Sequence, residues 1–467
     1  MSTRSSSEHK DSLEHKTANS IRSNMVRVFA IYLVAGLALM ISTTQAAICH
    51  TRVSDMENIS NLCNHIHSHG IVSSRSQLCS LKARLEKKQV LVAGFGGSVS
   101  QAGHLGGVGF GERFTSWLRI IGYDASFKNF AIGSTGPDYP SLCLHDLLNG
   151  SVPDIVLLEF SINLGTNFQL QRLINGCSTL STPTPIIIYV DTFTQLGNEE
   201  LCNAYLNGTQ KKLPNLQDAE FLDVIKRNNI LCVSLGLAFF DAPEYARTYL
   251  FERVFWEDKH HLDRAGHDIF SELLAEAVQQ ALVQTSCKDL RGADLRITNK
   301  NIPGICYSYY VRDASVPSIA FNRGNWSVKH LHGFGKIGLR PGRFSRAGSF
   351  VAFAVESTQV YNSLGIGGMV NSEAMLNGIV SVSIDGLTVG EFDGFASWPW
   401  NIQRIQTYAV PIPSPGMHLI GLTVLNTTSS GGYDFSFTTL ALFNDSVALK
   451  AHSERCRRRA KSRGLAN

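Results

Sequence analysis

Two short runs, Ile155-Val156-Leu157-Leu158 and Pro185-Ile186-Ile187-Ile188, carry no polar side chain at any position. A strand with one wet face alternates apolar and polar residues. An unbroken apolar run is buried on both faces, which points to a parallel sheet covered by helices on each side. The surrounding sequence fits. From 88 to about 285 strand and helix patterns alternate, with strands predicted at 90–93, 125–130, 155–160, 186–190 and 231–235 and helices at 109–121, 139–148, 168–174, 219–228 and 264–284. The expected class is α/β: a three-layer α/β/α sandwich with a mainly parallel five-stranded sheet. The last helix is the best marked. Asp263 can cap it, and Ile269, Leu273, Leu274, Ala277, Val278 and Ala281 recur at helical spacing.

After Cys287 the texture changes. Residues 290–449 hold short runs rich in Val, Ile, Phe and Ser, broken by Gly, Asn and Pro. They predict strands at 349–355, 378–384, 387–392, 407–410, 418–424 and 435–442, and Ile384-Asp385-Gly386-Leu387 reads as a tight hairpin turn. The second domain is therefore expected to be an all-β sandwich or jelly roll.

The ends of the chain bear on its compartment. Residues 1–25 form a polar tail expected to be disordered. In 26–47, Arg27 precedes the uncharged run 28–41 and small residues follow as far as Ala46 and Ala47. That is the pattern of a secretory signal cleaved after Ala46, or of an uncleaved type II anchor. Either delivers the remainder to a luminal or extracellular compartment. All ten cysteines (Cys49, Cys63, Cys79, Cys143, Cys177, Cys202, Cys232, Cys287, Cys306 and Cys456) follow the apolar run, as disulfides in an oxidising compartment would require. Six glycosylation sequons, at Asn58, Asn149, Asn207, Asn325, Asn426 and Asn444, point the same way.

The net charge of +4 is a property of the tails: residues 1–47 carry +2 and the basic tail 450–467 carries +6, leaving −4 between them. That middle offers no nucleic-acid surface. Membrane contact is expected only through the possible N-terminal anchor. Segment 48–87 precedes the first predicted strand, and Leu78, Leu81 and Leu85 hint at a helix there. His65, His67 and His69 alternate. On an extended chain they would share a face and could hold a metal, but no carboxylate or fourth ligand accompanies them, and a solvated loop is the simpler reading.

The chemistry gathers at strand ends. Val90 to Ala93 runs into Gly94-Phe95-Gly96-Gly97-Ser98, where Gly96 and Gly97 let a substrate approach the Ser98 hydroxyl. Asn129 to Gly136 follows the second strand, and its small residues can aim backbone N–H groups at a substrate oxygen. Glu159 to Gly165 follows the third and offers the Asn163 amide. Glu257 to Asp263 precedes the last helix, with Asp258 and His261 three apart, so the carboxylate can bond one imidazole nitrogen and leave the other for the Ser98 proton. A serine hydroxyl is a poor nucleophile until a base removes its proton, and the oxyanion that follows needs positioned donors.

Four blocks in this order resemble the SGNH hydrolases of the GDSL-esterase type, over about residues 88–287. The resemblance implies Ser98 as nucleophile, His261 as base and Asp258 as its partner. It implies an oxyanion hole from the Ser98 N–H, a backbone N–H at Gly133 or Ser134, and the Asn163 side chain. No cofactor or metal is implied. The chain departs from the family at Gly97, where the pattern has aspartate, in the choice between Gly133 and Ser134, and at Leu164, also aspartate in the pattern.

The expected function is a serine esterase acting on an acyl ester, acetyl among the candidates, of a carbohydrate or other small substrate. An acyltransferase using the same residues, or an inactive glycan-binding protein, are the alternatives. A metal site from Asp258, His260, His261 and Asp263 would leave the serine and oxyanion blocks unexplained. An α/β-hydrolase elbow lacks its second glycine, and a phosphate loop lacks Gly-Lys-Ser/Thr. Carbohydrate binding is one role open to the β-sandwich, where Trp326, Trp398, Trp400, Tyr307, Tyr309 and Tyr310 could stack on sugars, although core packing suits most of them better.

Overall fold

The computed structural model describes residues 64–444, apart from 164–165, 196–198, 210–217, 241, 286, 288–303, 310–314, 331–336, 343–345, 371–377, 396–401, 413 and 429–431. The apolar segment 26–47, the basic tail, Asn58, Leu164, Tyr310, Trp398 and Trp400 thus lie outside the described residues. No helix among the described residues is long and apolar enough to cross a membrane.

The first sheet comprises β1 (Ile71–Val72), β2 (Gln89–Gly96), β3 (Asp124–Asn129), β4 (Ile155–Glu159), β5 (Ile186–Asp191) and β6 (Leu231–Ser234), in the order β1-β6-β5-β4-β2-β3. Strands β2 to β6 run parallel, and β1 pairs antiparallel with β6. The five expected strands are all present, and a sixth extends the β6 edge. Every residue of β4 is buried, as its sequence requires. The helices include α1 (Arg75–Leu85), α2 (Ser98–Gln101), α3 (Phe110–Ile120), α4 (Asp138–Leu148), α5 (Asn167–Ser178), α6 (Asp218–Arg227) and α7 (Arg264–Leu282). Helices α4, α5 and α6 cover one face through Leu144, Leu173 and Val224 against Phe95, Val156 and Tyr189. Helices α1, α3 and α7 pack together on the other. Asp263 caps α7, its side chain accepting from the Arg264 N–H at 2.7 Å, and the six apolar positions marked in the sequence are buried.

The sheet begins earlier than the expected boundary at 88. Strand β1 and helix α1, which Ser74 caps by accepting from the Gln77 N–H, are built into it, and a Cys79–Cys287 disulfide ties α1 to the chain just beyond α7. Residues 64–69 are helical, so the extended alternation that would line up His65, His67 and His69 is absent: local helix formation wins over it.

The second domain holds β7 (Ile305–Ser308), β8 (Ser318–Arg323), β9 (Ser327–His330), β10 (Ile337–Arg340), β11 (Phe350–Ser357), β12 (Tyr361–Val370), β13 (Ile379–Ile384), β14 (Leu387–Asp393), β15 (Ile402–Ile412), β16 (Gly416–Val424) and β17 (Ser436–Phe443). One sheet runs β15-β12-β17-β10-β9, with β7 also on β17; the other runs β14-β13-β16-β11-β8. The pairings are antiparallel, and the inner faces interlock through side chains such as Phe353 and Phe437, stacked 4.7 Å apart. Asp385 (φ 49°) and Gly386 (φ 82°) make the predicted β13–β14 turn, both in the left-handed region that a two-residue hairpin of this type demands. Trp326 and Tyr309 lie inside this core, with the partly buried Tyr307 packed against it, so the first two serve packing.

The two domains share an apolar contact. Tyr139, Leu142 and Cys143 of α4 pack on Ile405, Ala441 and Phe443, and Cys143 is bonded to Cys306. Two polar contacts run alongside: the Ile405 N–H donates to the buried Asp138 carboxylate and the Gln403 N–H donates to the Ser134 carbonyl, both at 2.8 Å.

Candidate active site

The parallel strands follow the order β6-β5-β4-β2-β3, so the chain reverses direction across the sheet at β2. Ligands of open α/β sheets collect at the carboxyl ends of the strands beside such a reversal. Ser98 follows β2 and Asn163 follows the neighbouring β4.

Gly96 brings the chain close against β4; a side chain there would strike Ser100 Oγ and the Glu159 carbonyl. After Gly97 the backbone turns into the single helical turn α2, and Ser98 opens it. The Ser98 hydroxyl lies 2.7 Å from His261 Nε2, and His261 Nδ1 lies 2.5 Å from Asp258 Oδ2. The second Asp258 oxygen accepts from the N–H groups of His260 and His261, both at 2.9 Å. Partial burial works against the Asp258 charge. The bonds from the His261 ring and the two N–H groups outweigh it and hold the carboxyl below the usual carboxylate range. An ionised Asp258 fixes the proton on Nδ1, leaving Nε2 as the acceptor that faces the serine.

The loop carrying these residues is braced from β5. Gln195 N–H donates to the Lys259 carbonyl at 3.0 Å, and Thr194 Oγ1 meets His260 Nδ1 at 3.0 Å. Burial, helped by the adjacent His261, lowers the His260 pKa to about 4, so His260 stays neutral. His267 is fully buried in α7, where it accepts the Phe110 N–H at 3.2 Å.

The Asn163 amide nitrogen is buried and has no hydrogen-bond acceptor among the described residues. It abuts Gly97, on the turn that bears Ser98. Of the two backbone positions offered for a further donor, Gly133 gives its N–H to Gln101 Oε1 at 3.0 Å. Ser134 adopts φ 66° and is anchored by its carbonyl to Gln403.

Sequence reasoning passed over Glu159. It is fully buried beneath the turn that bears Ser98 and accepts from Ser100 Oγ and Thr192 Oγ1, each at 3.2 Å. Burial pushes its pKa up to about 7, although those hydroxyls and the N–H groups of Ser100 and Gly97 pull the other way. A signal was present: a carboxylate ending a strand with no other polar residue needs partners of its own.

With the geometry in hand, the chain can be set beside known proteins. No protein-family model and no curated protein matches it. Among solved structures it is similar to a two-domain esterase (CEX) active on acetylated mannans, with 16% sequence identity and a TM-score of 0.53, over 79% of this chain and 96% of that one. The same esterase co-crystallised with mannopentaose gives a TM-score of 0.54 at 16% identity and equal coverage. This is a likeness of fold. It spans both domains, so an α/β/α layer sandwich followed by a β-sandwich is an arrangement the two chains share.

Proposed function

We propose that the chain is a serine esterase of the SGNH type that removes an acyl group, acetyl foremost, from a carbohydrate. The observation that carries the reading is the unbroken run from Ser98 Oγ through His261 to Asp258, with spacings of 2.7 and 2.5 Å. The buried Asn163 amide supplies what the run lacks, a donor awaiting an acceptor. The fold shared with an esterase active on acetylated mannans supports a sugar ester as substrate.

The reaction follows from these groups. His261 Nε2 takes the Ser98 proton as Oγ adds to the ester carbonyl. Charge forms on the carbonyl oxygen, where the Asn163 amide and the Ser98 N–H, with Ser134 N–H as a third candidate, would meet it. One such donor is worth about 2.7–4 kcal/mol. His261 then protonates the departing sugar hydroxyl, leaving acyl-Ser98. Water, deprotonated by the same nitrogen, releases the acid and restores the serine. The His261 side chain is 25% exposed, so water can reach it for this step.

The Cys79–Cys287 and Cys143–Cys306 disulfides support a luminal or extracellular location. The test is turnover of p-nitrophenyl acetate and acetylated mannooligosaccharides by the purified chain beside Ser98→Ala and His261→Ala. Hydrolysis by the parent and its loss in both variants is the expected result; equal rates in all three would end the proposal.

A further inference from the structure

Trp256 is an exposed aromatic two residues from Asp258. It is 42% exposed and starts the turn that carries Asp258 and His261. Its N–H donates to the His261 carbonyl and its own carbonyl accepts from the Lys259 N–H, each at 2.9 Å. The indole lies on the ring of His104, with centroids 4.9 Å apart and planes at 22°. His104 is itself anchored, its Nε2 giving a proton to the Leu262 carbonyl at 2.8 Å, and its ring centroid is 5.6 Å from that of His261. One imidazole therefore separates the indole from the catalytic base. Among the described residues nothing bonds the indole N–H.

We propose that Trp256 is a stacking platform for a pyranose ring of the acylated substrate, with His104 as the positioning residue that sets its tilt. This rests on the esterase reading above and names where the sugar lies. A pyranose turns C–H bonds out from one face. Those carry slight positive charge and suit the negative face of an indole, while hydroxyls at the ring edge can take the indole N–H. The indole is held in place before substrate arrives, so little orientational freedom is lost on binding. A small ester such as p-nitrophenyl acetate has no sugar to lay there.

The experiment compares acetylated mannooligosaccharide with p-nitrophenyl acetate in the parent, Trp256→Ala, Trp256→Tyr and His104→Ala. Trp256→Ala should raise KM for the oligosaccharide about tenfold and lower its kcat/KM relative to the small ester by a similar factor. Trp256→Tyr should recover most of that selectivity, and His104→Ala should lose part of it. A fall in equal proportion for both substrates would mean a merely structural tryptophan and overturn the proposal.

A second arm is independent of turnover: calorimetric binding of the same oligosaccharide to Ser98→Ala with and without Trp256→Ala. Weaker binding without the indole supports the platform even if the parent hydrolyses nothing, in which case only the esterase reading falls. Equal binding in both proteins, or none in either, overturns the platform whatever the kinetics show.

Discussion

The Asn163 amide nitrogen occupies the place where residue 97 would put a side chain: a Cβ on Gly97 would come within 1.5 Å of Asn163 Nδ2. Glycine at 97 is thereby what lets this asparagine lie against the turn that bears Ser98. Gly97→Ala and Gly97→Asp should fold but lose about a hundredfold or more in kcat, as should Asn163→Ala, because in the proposed mechanism each removes or displaces one oxyanion donor. Steady-state kinetics with melting curves check this. Retained activity in Gly97→Asp would mean the amide is not where catalysis needs it.

Glu159 makes the fold sensitive to pH in an unusual direction. Its folded pKa, about 7, lies above the ordinary 4.5, so the folded state holds the proton more tightly than the unfolded chain. The stability this contributes is complete below about pH 4.5 and drains away as pH rises through about 7. His260, lowered to about 4 by burial and by His261, acts oppositely, its contribution falling away from about pH 6.5 down through 4. A difference measurement separates them. The Tm of Glu159→Gln relative to the parent should climb from about pH 5 to about pH 8. A flat difference would show that this carboxyl does not titrate there.

Asp138 sits at the seam between the domains and takes the Ile405 N–H. Asp138→Ala leaves that N–H buried without an acceptor, at a cost of about 1–3 kcal/mol. The Ser134 loop is held to the same strand through Gln403, so kcat should fall along with Tm, with KM for p-nitrophenyl acetate little changed. A drop in Tm alone would separate the seam from the chemistry.

Much of this was legible beforehand for a physical reason. Strands buried on both faces advertise themselves as unbroken apolar runs, and Asp258 and His261 are close in sequence, so their contact is local. What was hidden depends on contacts distant in the chain. Strand β12, with Gly365, Gly367 and Gly368, lies outside the predicted strands, yet it runs in mid-sheet, where those positions admit Leu142, Thr439 and the Phe435 ring. The bond from the Gly133 N–H to Gln101 on α2 is of this kind. Nothing local marks Trp256 as the neighbour of His104.

The sequons give a prediction that is independent of catalysis. Asn149, Asn207, Asn325 and Asn426 are exposed. Asn444 is partly buried, its amide oxygen accepting the Asn362 N–H at 3.1 Å and its nitrogen donating to the Val360 carbonyl at 3.3 Å. In chain secreted from a eukaryotic host, glycopeptide mass spectrometry should find sugar on some of the first four and none on Asn444. Full occupancy of Asn444 would contradict the bonded amide.

The seam also decides where this polypeptide can be cut. A fragment ending at Cys287 would strip α4 of the strands that keep Tyr139 and Leu142 out of water, and would leave Cys143 without its bonded partner Cys306. The second half is then no detachable accessory: a recombinant shorter than Phe443 should come out insoluble or idle, and whoever seeks a minimal version should trim elsewhere.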